Sequence, residues 1–298
     1  MLKPMEPVLS TTVIETKEYL YQVKWDGIRI IAEVEGSSCR LYTRHGNERT
    51  KVYPEVTTAL ATDKSSLLLD GEMVVIHQGT SDFHQILKRD RAQKEEKIKA
   101  LQSSNPAVYM IFDLLSYNGN ELLTTPLSER LTLLDSLSFT APSLQVCPSN
   151  DDGGHLFAAT KELGWEGIVM KERDGLYYPG QKHPTWKKAK HFDNIEATVG
   201  GVLLRDGRAV SLLLGRRDEG KLLNYIGRVR SGLNQASLHV LTASLPSLSQ
   251  STSPFTSEPP IPSSHAVQWL HPVLTCSIQY LGWTPAQTLR HATLLGFY

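Results

Sequence analysis

The chain has 298 residues, enough for two domains of ordinary size. Its 31 lysines and arginines balance 31 aspartates and glutamates, which argues against a surface that attracts polyanions everywhere and leaves local patches for any nucleic-acid contact. The hydrophobic share of 40% is typical of a globular protein, and the apolar runs are too short for a membrane span. Because the first ten residues lack the apolar core of a secretory signal, we expect a cytoplasmic protein without a membrane partner.

Strand patterns dominate the first part of the chain. Residues 19–43 carry apolar, aromatic and β-branched residues in runs separated by Asp-Gly and Gly-Ser-Ser, which is typical of two or three antiparallel strands. Residues 67–77 repeat this pattern. Residues 107–119 predict a buried strand that ends in a turn.

Two segments predict helices. Residues 85–102 read as one helix with few large apolar positions, in which Glu95 and Lys99 have the i,i+4 spacing of an ion pair. Residues 127–137 predict a shorter helix. The charges of the longer helix are expected to form a solvated face.

Beyond Asn194 the pattern changes to alternating residues with turns at 205–208 and 216–220, which predicts a meander of short strands and a small β-barrel. Residues 244–264 are rich in Ser and Pro and predict a flexible loop within this second domain. Residues 267–298 return to aromatic and β-branched residues and should complete the barrel.

The three cysteines are far apart. Cys39, Cys147 and Cys276 form no CxxC pair and no Cys/His cluster, so neither a disulfide framework nor a zinc site is indicated. We expect three small buried side chains.

Lys24 opens the segment Lys-Trp-Asp-Gly-Ile-Arg, at the end of a predicted strand and directly before a turn. A lysine can act as a nucleophile, but the pKa of a free lysine is about 10.4, so the amine is almost fully protonated at neutral pH. Burial, a nearby cation or a metal can lower such a pKa by about 3 units and make the neutral amine available. The alternative is an ordinary hairpin turn in which Lys24 and Arg29 are exposed.

Five other segments follow in order: Thr-Arg-His-Gly at 43–46, Leu-Asp-Gly-Glu at 69–72, Ile-Phe-Asp-Leu at 111–114, Glu-Gly-Ile-Val-Met-Lys at 166–171 and Trp-Lys-Lys-Ala-Lys at 186–190. The series resembles the covalent nucleotidyltransferases, which include ATP-dependent DNA ligases, RNA ligases and mRNA capping enzymes. It spans residues 21–190, and the chain after it resembles the family's OB-fold domain. The segments SLLLG, YIGRV and GWTPAQTLRH are most similar to the ligase domain of the bacterial end-joining enzyme, ligase D.

The residue types suit attack of an amine on the α-phosphate of ATP, which needs positioning and charge neutralisation more than covalent chemistry. Lys188 and Lys190 are two apart on a predicted strand, so they point to one face and can meet one phosphate. Glu72 and Glu166 offer the hard oxygen ligands that Mg²⁺ or Mn²⁺ prefers.

The resemblance implies a role for each matching residue. Lys24 would be the adenylylated nucleophile, and Lys188 and Lys190 would bind the α-phosphate. Arg29 and Arg44 would contact the nucleotide or the nick 5′-phosphate, and Phe112 would stack on adenine. Glu72 would bind the ribose or a metal. Glu166 would bind the metal, with Asp26 as a second ligand.

Three positions depart from the family pattern. Gln22 stands where a glutamate usually contacts the adenine amino group, and its carbonyl can still accept that hydrogen bond. Lys182 replaces an arginine and loses bidentate phosphate geometry. The family usually continues into an R-x-D-K motif that orients pyrophosphate, whereas this chain ends at Tyr298; we expect Arg290 or another cation to substitute, or self-adenylylation to be slow.

The resemblance therefore implies an ATP-dependent DNA ligase of the α+β class. An adenylation domain of antiparallel sheets with flanking helices would occupy residues 1–191, and an all-β OB-fold domain residues 192–298. The enzyme would use ATP and Mg²⁺ or Mn²⁺, and its substrate would be nicked or broken double-stranded DNA. It would act in repair or end joining as a nucleoid-associated monomer. Its partners would be a Ku-type end-binding protein and a separate polymerase. The alternatives are an RNA ligase, a capping-type enzyme that uses GTP, and a nick-binding module with weak catalysis.

Overall fold

The computed structural model describes residues 2–62, 65–217 and 222–298. The chain divides into two units, Met1–His191 and Phe192–Tyr298, and each has its own hydrophobic core. No helix in the described ranges is long and apolar enough to cross a bilayer. Cys39, Cys147 and Cys276 are free and buried, as predicted.

Among the described residues of the first unit, eleven strands form two sheets. They are β1 (Glu6–Leu9), β2 (Tyr19–Val23), β3 (Ile28–Glu35), β4 (Ser38–Thr43), β5 (Ser66–His77), β6 (Thr80–Ser81), β7 (Ala107–Tyr117), β8 (Asn120–Glu121), β9 (Leu144–Val146), β10 (Gly167–Glu172) and β11 (Lys182–Lys190).

The sheets have different strand orders. The smaller one runs β1-β11-β10-β2, with β1 parallel to β11. The larger one runs β4-β3-β5-β7-β8, with β6 paired to β5 and β9 parallel to β7. The strands predicted at 19–43 therefore form, but β2 joins the smaller sheet whereas β3 and β4 join the larger one. The turn between β2 and β3 connects the two sheets.

Helices pack on both sheets. They are α1 (Pro54–Leu60), α2 (Phe83–Asp90), α3 (Glu95–Ser104), α4 (Leu127–Ser136) and α5 (Gly153–Glu162), with a 3₁₀ turn at Thr50–Val52. Helix α5 packs on β2 and β10 of the smaller sheet, whereas α1, α2 and α4 pack on the larger sheet. The buried side of this sheet is mostly aliphatic, and α1 and α4 pack against it through Val56, Leu60 and Leu131.

The single helix predicted at 85–102 is wrong, because α2 ends at Asp90 and α3 starts at Glu95. Arg89 explains the break. Its side chain is 1% exposed and donates hydrogen bonds to the carbonyls of Val52 and Ile98 and to the carboxylate of Glu55. These contacts turn the chain back on itself. The predicted i,i+4 pair of Glu95 and Lys99 does form within α3, at 2.7 Å.

The second unit is mostly β-structure. Its elements are β12 (Asp193–Arg205), β13 (Arg208–Arg217), β14 (Leu223–Val229), α6 (Gln235–Leu248), β15 (Ser249–Gln250), β16 (Ala266–Leu270), β17 (Thr275–Tyr280), β18 (Gly282–Trp283), β19 (Leu289–Arg290) and β20 (Thr293–Phe297). The main sheet runs β14-β13-β12-β16-β15, and β17 pairs with both β12 and β20.

The turn predicted at 205–208 joins β12 to β13, with Asp206 and Gly207 at φ values of 51° and 72°. Two residues with positive φ are what a tight type I′ hairpin turn requires. The second predicted turn, at 216–220, lies partly outside the described residues.

The flexible loop predicted at 244–264 needs correction. Helix α6 continues to Leu248, and β15 follows directly. Leu241, Leu245 and Leu248 have the i, i+4, i+7 spacing of one helix face and pack on the core of the second unit. Further along, Phe255 is 5% exposed in a second apolar cluster. The Ser- and Pro-rich composition concealed these apolar anchors.

Candidate active site

Lys24 lies directly after β2, where the chain leaves the smaller sheet. Its backbone N–H donates to the carbonyl of Gly167, at the start of β10, over 2.9 Å. The Nζ atom lies 2.5 Å from Oε2 of Glu166, and Nζ of Lys190 lies 2.6 Å from Oε1 of the same carboxylate. Lys24, which follows β2, and Lys190, on β11, thus converge on the one carboxylate of Glu166.

Glu166 is held in place by the glycine that follows it. A Cβ added to Gly167 would lie 2.1 Å from the carbonyl oxygen of Ala189, and the φ of Gly167 is +139°. Only glycine accepts both conditions, which brings β10 and β11 close together. Although burial by itself raises the pKa of Glu166, the charges of Lys24 and Lys190 hold it below its usual value. Glu166 is therefore an ionised carboxylate beside two ammonium groups.

A cavity of about 580 Å³ opens beside these residues in the first unit. It is large enough for a nucleotide-sized ligand. Seven of the predicted site residues line it: Gln22, Lys24, Arg29, Arg44, Glu72, Phe112 and Lys188.

Arg29 forms one wall of the cavity and is fixed by a buried acid. Its Nε and Nη2 atoms donate to the two oxygens of Asp70 over 2.5 and 2.6 Å. Asp70 has no exposed surface and also accepts a hydrogen bond of 2.6 Å from the hydroxyl of Tyr177. A second bond ties Arg29 Nη2 to the carbonyl of Met5, at 3.2 Å. This bidentate pair fixes the plane of the guanidinium group.

Phe112 lies between cations and another ring. The Arg29 guanidinium lies 4.5 Å from the centroid of the Phe112 ring, and Trp186 packs edge-on at 6.1 Å. Lys171, which is 2% exposed, donates to the Phe112 carbonyl over 3.0 Å, and its Nζ lies 4.1 Å from the Trp186 ring centroid. Burial lowers the pKa of Lys171 to about 8.

Gln22 is 1% exposed and lines the cavity from β2. Its Nε2 donates to the carbonyl of Cys147 and to Oγ of Ser149, at 3.3 and 3.1 Å. Its Oε1 is buried and finds no hydrogen-bond partner among the described residues. An unpartnered buried acceptor is costly, so a ligand that brings a donor here is favoured.

The remaining cavity residues are polar. Arg44 is half-exposed, with Glu6 at 3.4 Å. Burial lowers the pKa of Lys188, and the nearby charges of Lys190 and Lys24 lower it further, which agrees with a shared face for these lysines. Burial raises the pKa of Glu72 to about 7, against the opposing charges of Arg29 and Lys24. The cavity thus combines the buried side chains of Gln22 and Phe112 with several cations.

The comparisons with known proteins agree with this geometry. Residues 1–190 match the family described as ATP dependent DNA ligase domain, and residues 205–297 match the ATP dependent DNA ligase C terminal region. The chain belongs to the ATP-dependent DNA ligase family. The resemblance based on its motifs is confirmed, together with an α+β first region and a mostly β, OB-like second region.

Two curated relatives illustrate the similarity. The "Multifunctional non-homologous end joining DNA repair protein LigD" of Mycobacterium tuberculosis H37Rv is 33% identical over 98% of this chain, which covers 38% of that relative. The LigD protein of Pseudomonas aeruginosa PAO1 is 30% identical over 94% of the chain and is covered to 33%. The chain therefore spans less than two fifths of the length of these relatives.

Solved structures agree with the fold. A mycobacterial DNA ligase D complexed with ATP and MES superposes with a TM-score of 0.60 at 31% identity, covering 100% of this chain and 95% of the other. A Lig E DNA ligase gives a TM-score of 0.68 at 17% identity over 100% of both chains, which supports the fold alone.

The metal ligands predicted for this ligase are only partly brought together. Glu166 and Glu72 lie near the cavity lysines, whereas Asp26 is absent from the described residues that line the cavity. Among the described residues, no group of three His, Cys, Asp or Glu side chains is arranged to hold a metal ion. Two carboxylates fit Mg²⁺ or Mn²⁺ where phosphate oxygens complete the ligand set, because Mg²⁺ in proteins commonly shares its ligands with a bound phosphate.

Sequence reasoning missed three residues that support the site. Asp70 holds Arg29, Tyr177 holds Asp70, and Lys171 lies under Phe112 and Trp186. One signal was present: Asp70 and Glu72 are two apart on a strand, so both face the same side as Arg29 on the neighbouring strand.

Proposed function

We propose that this ligase seals breaks in DNA strands through a covalent lysine–AMP intermediate on Lys24. The observation that carries the proposal is the shared carboxylate of Glu166, which holds Lys24 and Lys190 beside the nucleotide-sized cavity. The Glu166 carboxylate, which can accept a proton, then contacts both the amine of Lys24 and the cation of Lys190. That is the arrangement in which an activated lysine nucleophile works.

In the first step the Nζ atom of Lys24 attacks the α-phosphorus of ATP. A P–N bond forms, the bond to the pyrophosphate oxygen breaks, and pyrophosphate leaves. Before the attack the Lys24 ammonium gives one proton to Oε2 of Glu166, its nearest acceptor at 2.5 Å, and this proton passes on to water, so that Nζ has a free electron pair. As the P–N bond forms, the nitrogen loses a second proton to water. Lys188 and Lys190 neutralise the charge that develops on the α-phosphate.

In the second step the AMP moves from Lys24 to the 5′-phosphate of a DNA nick, which breaks the P–N bond and returns the lysine amine. In the third step the adjacent 3′-hydroxyl attacks that 5′-phosphate. The phosphodiester forms, and AMP leaves. Arg29 and Arg44 supply cations for the nucleotide phosphates or for the nick phosphate.

Two buried side chains that line the cavity supply the groups for adenine binding. Phe112 offers an apolar ring, and the free Oε1 of Gln22 accepts a hydrogen bond from the 6-amino group. Glu72 receives the ribose hydroxyls. When Mg²⁺ or Mn²⁺ is bound, held by Glu166 and Glu72 with Asp26 as a further candidate, it neutralises phosphate charge.

We further propose that the ligase acts in DNA repair or end joining, as a monomer near the nucleoid. The similarity to LigD proteins over 98% of the chain supports this role. A Ku-type end-binding protein and a separate polymerase are the corresponding partners. Since neither half of the chain is a basic domain, with 23 basic against 25 acidic residues in 1–190 and 8 against 6 in 191–298, unaided binding to DNA should be weak and salt-sensitive.

The test is sealing of a duplex with one nick that carries a labelled 5′-phosphate. We expect sealing with ATP and Mg²⁺ or Mn²⁺, little sealing with GTP, none with Lys24→Ala, and wild-type sealing with Lys97→Ala, an exposed lysine of α3. Sealing only when the nick strands are RNA, preference for GTP, or binding of the nick without sealing would each contradict the proposal.

A further inference from the structure

The side-chain amide of Gln22 has only one orientation that its surroundings accept. Its near neighbour at 3.3 Å is the carbonyl oxygen of Cys147, which can only accept a hydrogen bond. The NH₂ group must therefore face Cys147, and Ser149 Oγ accepts its second hydrogen at 3.1 Å. The carbonyl group of Gln22 is left as the end that has no partner in the described parts of the chain.

The segment that orients this amide is itself fixed by backbone bonds. The N–H of Cys147 donates to the carbonyl of Ile111 over 2.7 Å, which ties the segment to β7 beside Phe112. Asn150 exchanges two backbone hydrogen bonds with Tyr21, at 2.9 and 3.0 Å, which ties it to β2 beside Gln22. Residues 147–150 therefore form a rigid support between the two strands that carry Gln22 and Phe112.

Fixed in this way, Gln22 offers a bound purine an acceptor and no donor. A 6-amino purine presents N–H hydrogens to that oxygen. A 6-keto purine presents a second acceptor, so two oxygens would face each other in a buried place. Without the support, the amide could rotate by 180° and serve either base, since its two ends differ only in the exchange of oxygen for NH₂.

We propose that residues 147–150 form a purine selector, in which the Cys147 carbonyl sets which end of the Gln22 amide faces the base and Ser149 is a positioning residue that holds the amide against that carbonyl, so that 6-amino nucleotides are favoured over 6-keto nucleotides. The inference rests on the proposed binding of ATP against Gln22. The Cys147 carbonyl also gives a reason for glutamine at position 22. A glutamate here would place a carboxylate oxygen, a second acceptor, against that carbonyl, and the two oxygens would repel each other. Glutamine and the selector segment are therefore matched.

The test is self-adenylylation with ATP and with ITP, whose base has a 6-keto group and an N1–H where adenine has a 6-amino group and an unprotonated N1. The ratio of kcat/KM values for the two nucleotides is measured for the wild-type protein and for Ser149→Ala. We expect a clear preference for ATP in the wild type and a preference smaller by a factor of about five to ten in the variant, the effect of losing about one hydrogen bond. An unchanged ratio in Ser149→Ala would overturn the selector.

A matched pair of Ser149 variants distinguishes loss of the hydroxyl group from a general loosening of the fold. Ser149→Thr keeps the hydroxyl, and Ser149→Val has the same shape without it. The selector requires the threonine variant to keep the ATP preference and the valine variant to lose it; equal ratios would overturn it. Ser143→Ala serves as a control, since its hydroxyl bonds the Glu55 carbonyl and it does not line the cavity.

Gln22→Leu separates this inference from the proposed function. If Gln22→Leu loses the ATP preference but the Ser149 variants keep it, Gln22 reads the base and only the selector fails. If Gln22→Leu keeps the full preference, base recognition by Gln22 fails, and the selector fails with it.

Discussion

The carboxylate of Glu166 is shared by two lysines: Lys24 Nζ lies 2.5 Å from one oxygen and Lys190 Nζ 2.6 Å from the other. Glu166 is 6% exposed, whereas the two lysines are 20% and 14% exposed. One buried negative charge thus organises two positive charges at the cavity. The surplus positive charge attracts an anion, and the carboxylate is the nearest acceptor for a proton from Lys24.

Glu166→Gln tests this arrangement. The amide keeps the shape but cannot take a proton from Lys24, so we expect self-adenylylation to slow by about a hundredfold or more. The measurement is the single-turnover rate of label transfer from ATP to protein. Glu172→Gln is the matched control at the far end of β10, because Glu172 accepts a hydrogen bond from Tyr19 and is absent from the described residues that line the cavity. Equal rates for the two variants would contradict the role of Glu166.

The support of Arg29 can be weakened without touching the cavity cation. Tyr177→Phe removes the hydroxyl that donates to Asp70 and accepts from the backbone N–H of Met5. We expect the free energy of unfolding to fall by about 1 to 2 kcal/mol, because a buried acceptor loses its partner. Urea unfolding measures this, with Tyr178→Phe as a neighbouring control. A loss no larger than that of the control would show that the Arg29–Asp70 pair does not depend on Tyr177.

Lys171 should make stability depend on pH. Burial lowers its pKa to about 8, so between about pH 8 and pH 10 the unfolded chain holds this proton more tightly than the folded chain. The contribution of Lys171 to the free energy of unfolding therefore rises with pH between about pH 8 and pH 10. The charged groups around it are Asp113, Arg29 and Asp70, with the thiol of Cys147.

The comparison is between the wild-type protein and Lys171→Met, by urea unfolding at neutral pH and near pH 10. We expect the free energy of unfolding of the wild type to rise by about 1 to 3 kcal/mol relative to that of the variant over this range. Lys171→Arg should behave as a group that stays charged and show no such gain. A wild-type stability that falls relative to Lys171→Met as pH rises would contradict the sign of this shift.

Local patterns identified much of the site. Lys24 was expected at a strand end before a turn, and β2 ends at Val23. Lys188 and Lys190 were expected on one face, and both lie near the charge of Lys24. These features depend on alternation within a strand and on turn residues, which a sequence displays directly.

Contacts between distant parts of the chain were not visible in the same way. Arg89 ends helix α2 because its buried guanidinium bonds Val52 and Glu55, more than 30 positions earlier. Tyr177 reaches Asp70 across 107 positions. Such pairings depend on which strands become neighbours, and the residues involved have no motif of their own. Helix α6 was missed because its apolar stripe is diluted by Ser and Pro.

The central claim is that Lys24 carries AMP covalently. The direct measurement is incubation with ATP labelled at the α-phosphate and Mg²⁺ or Mn²⁺, denaturation, and mapping of the label by peptide mass spectrometry. We predict one AMP on the peptide that contains Lys24, released again by added pyrophosphate, absent in Lys24→Ala and present in Lys97→Ala. A protein that takes up no label, or a label that persists in Lys24→Ala, would contradict the account.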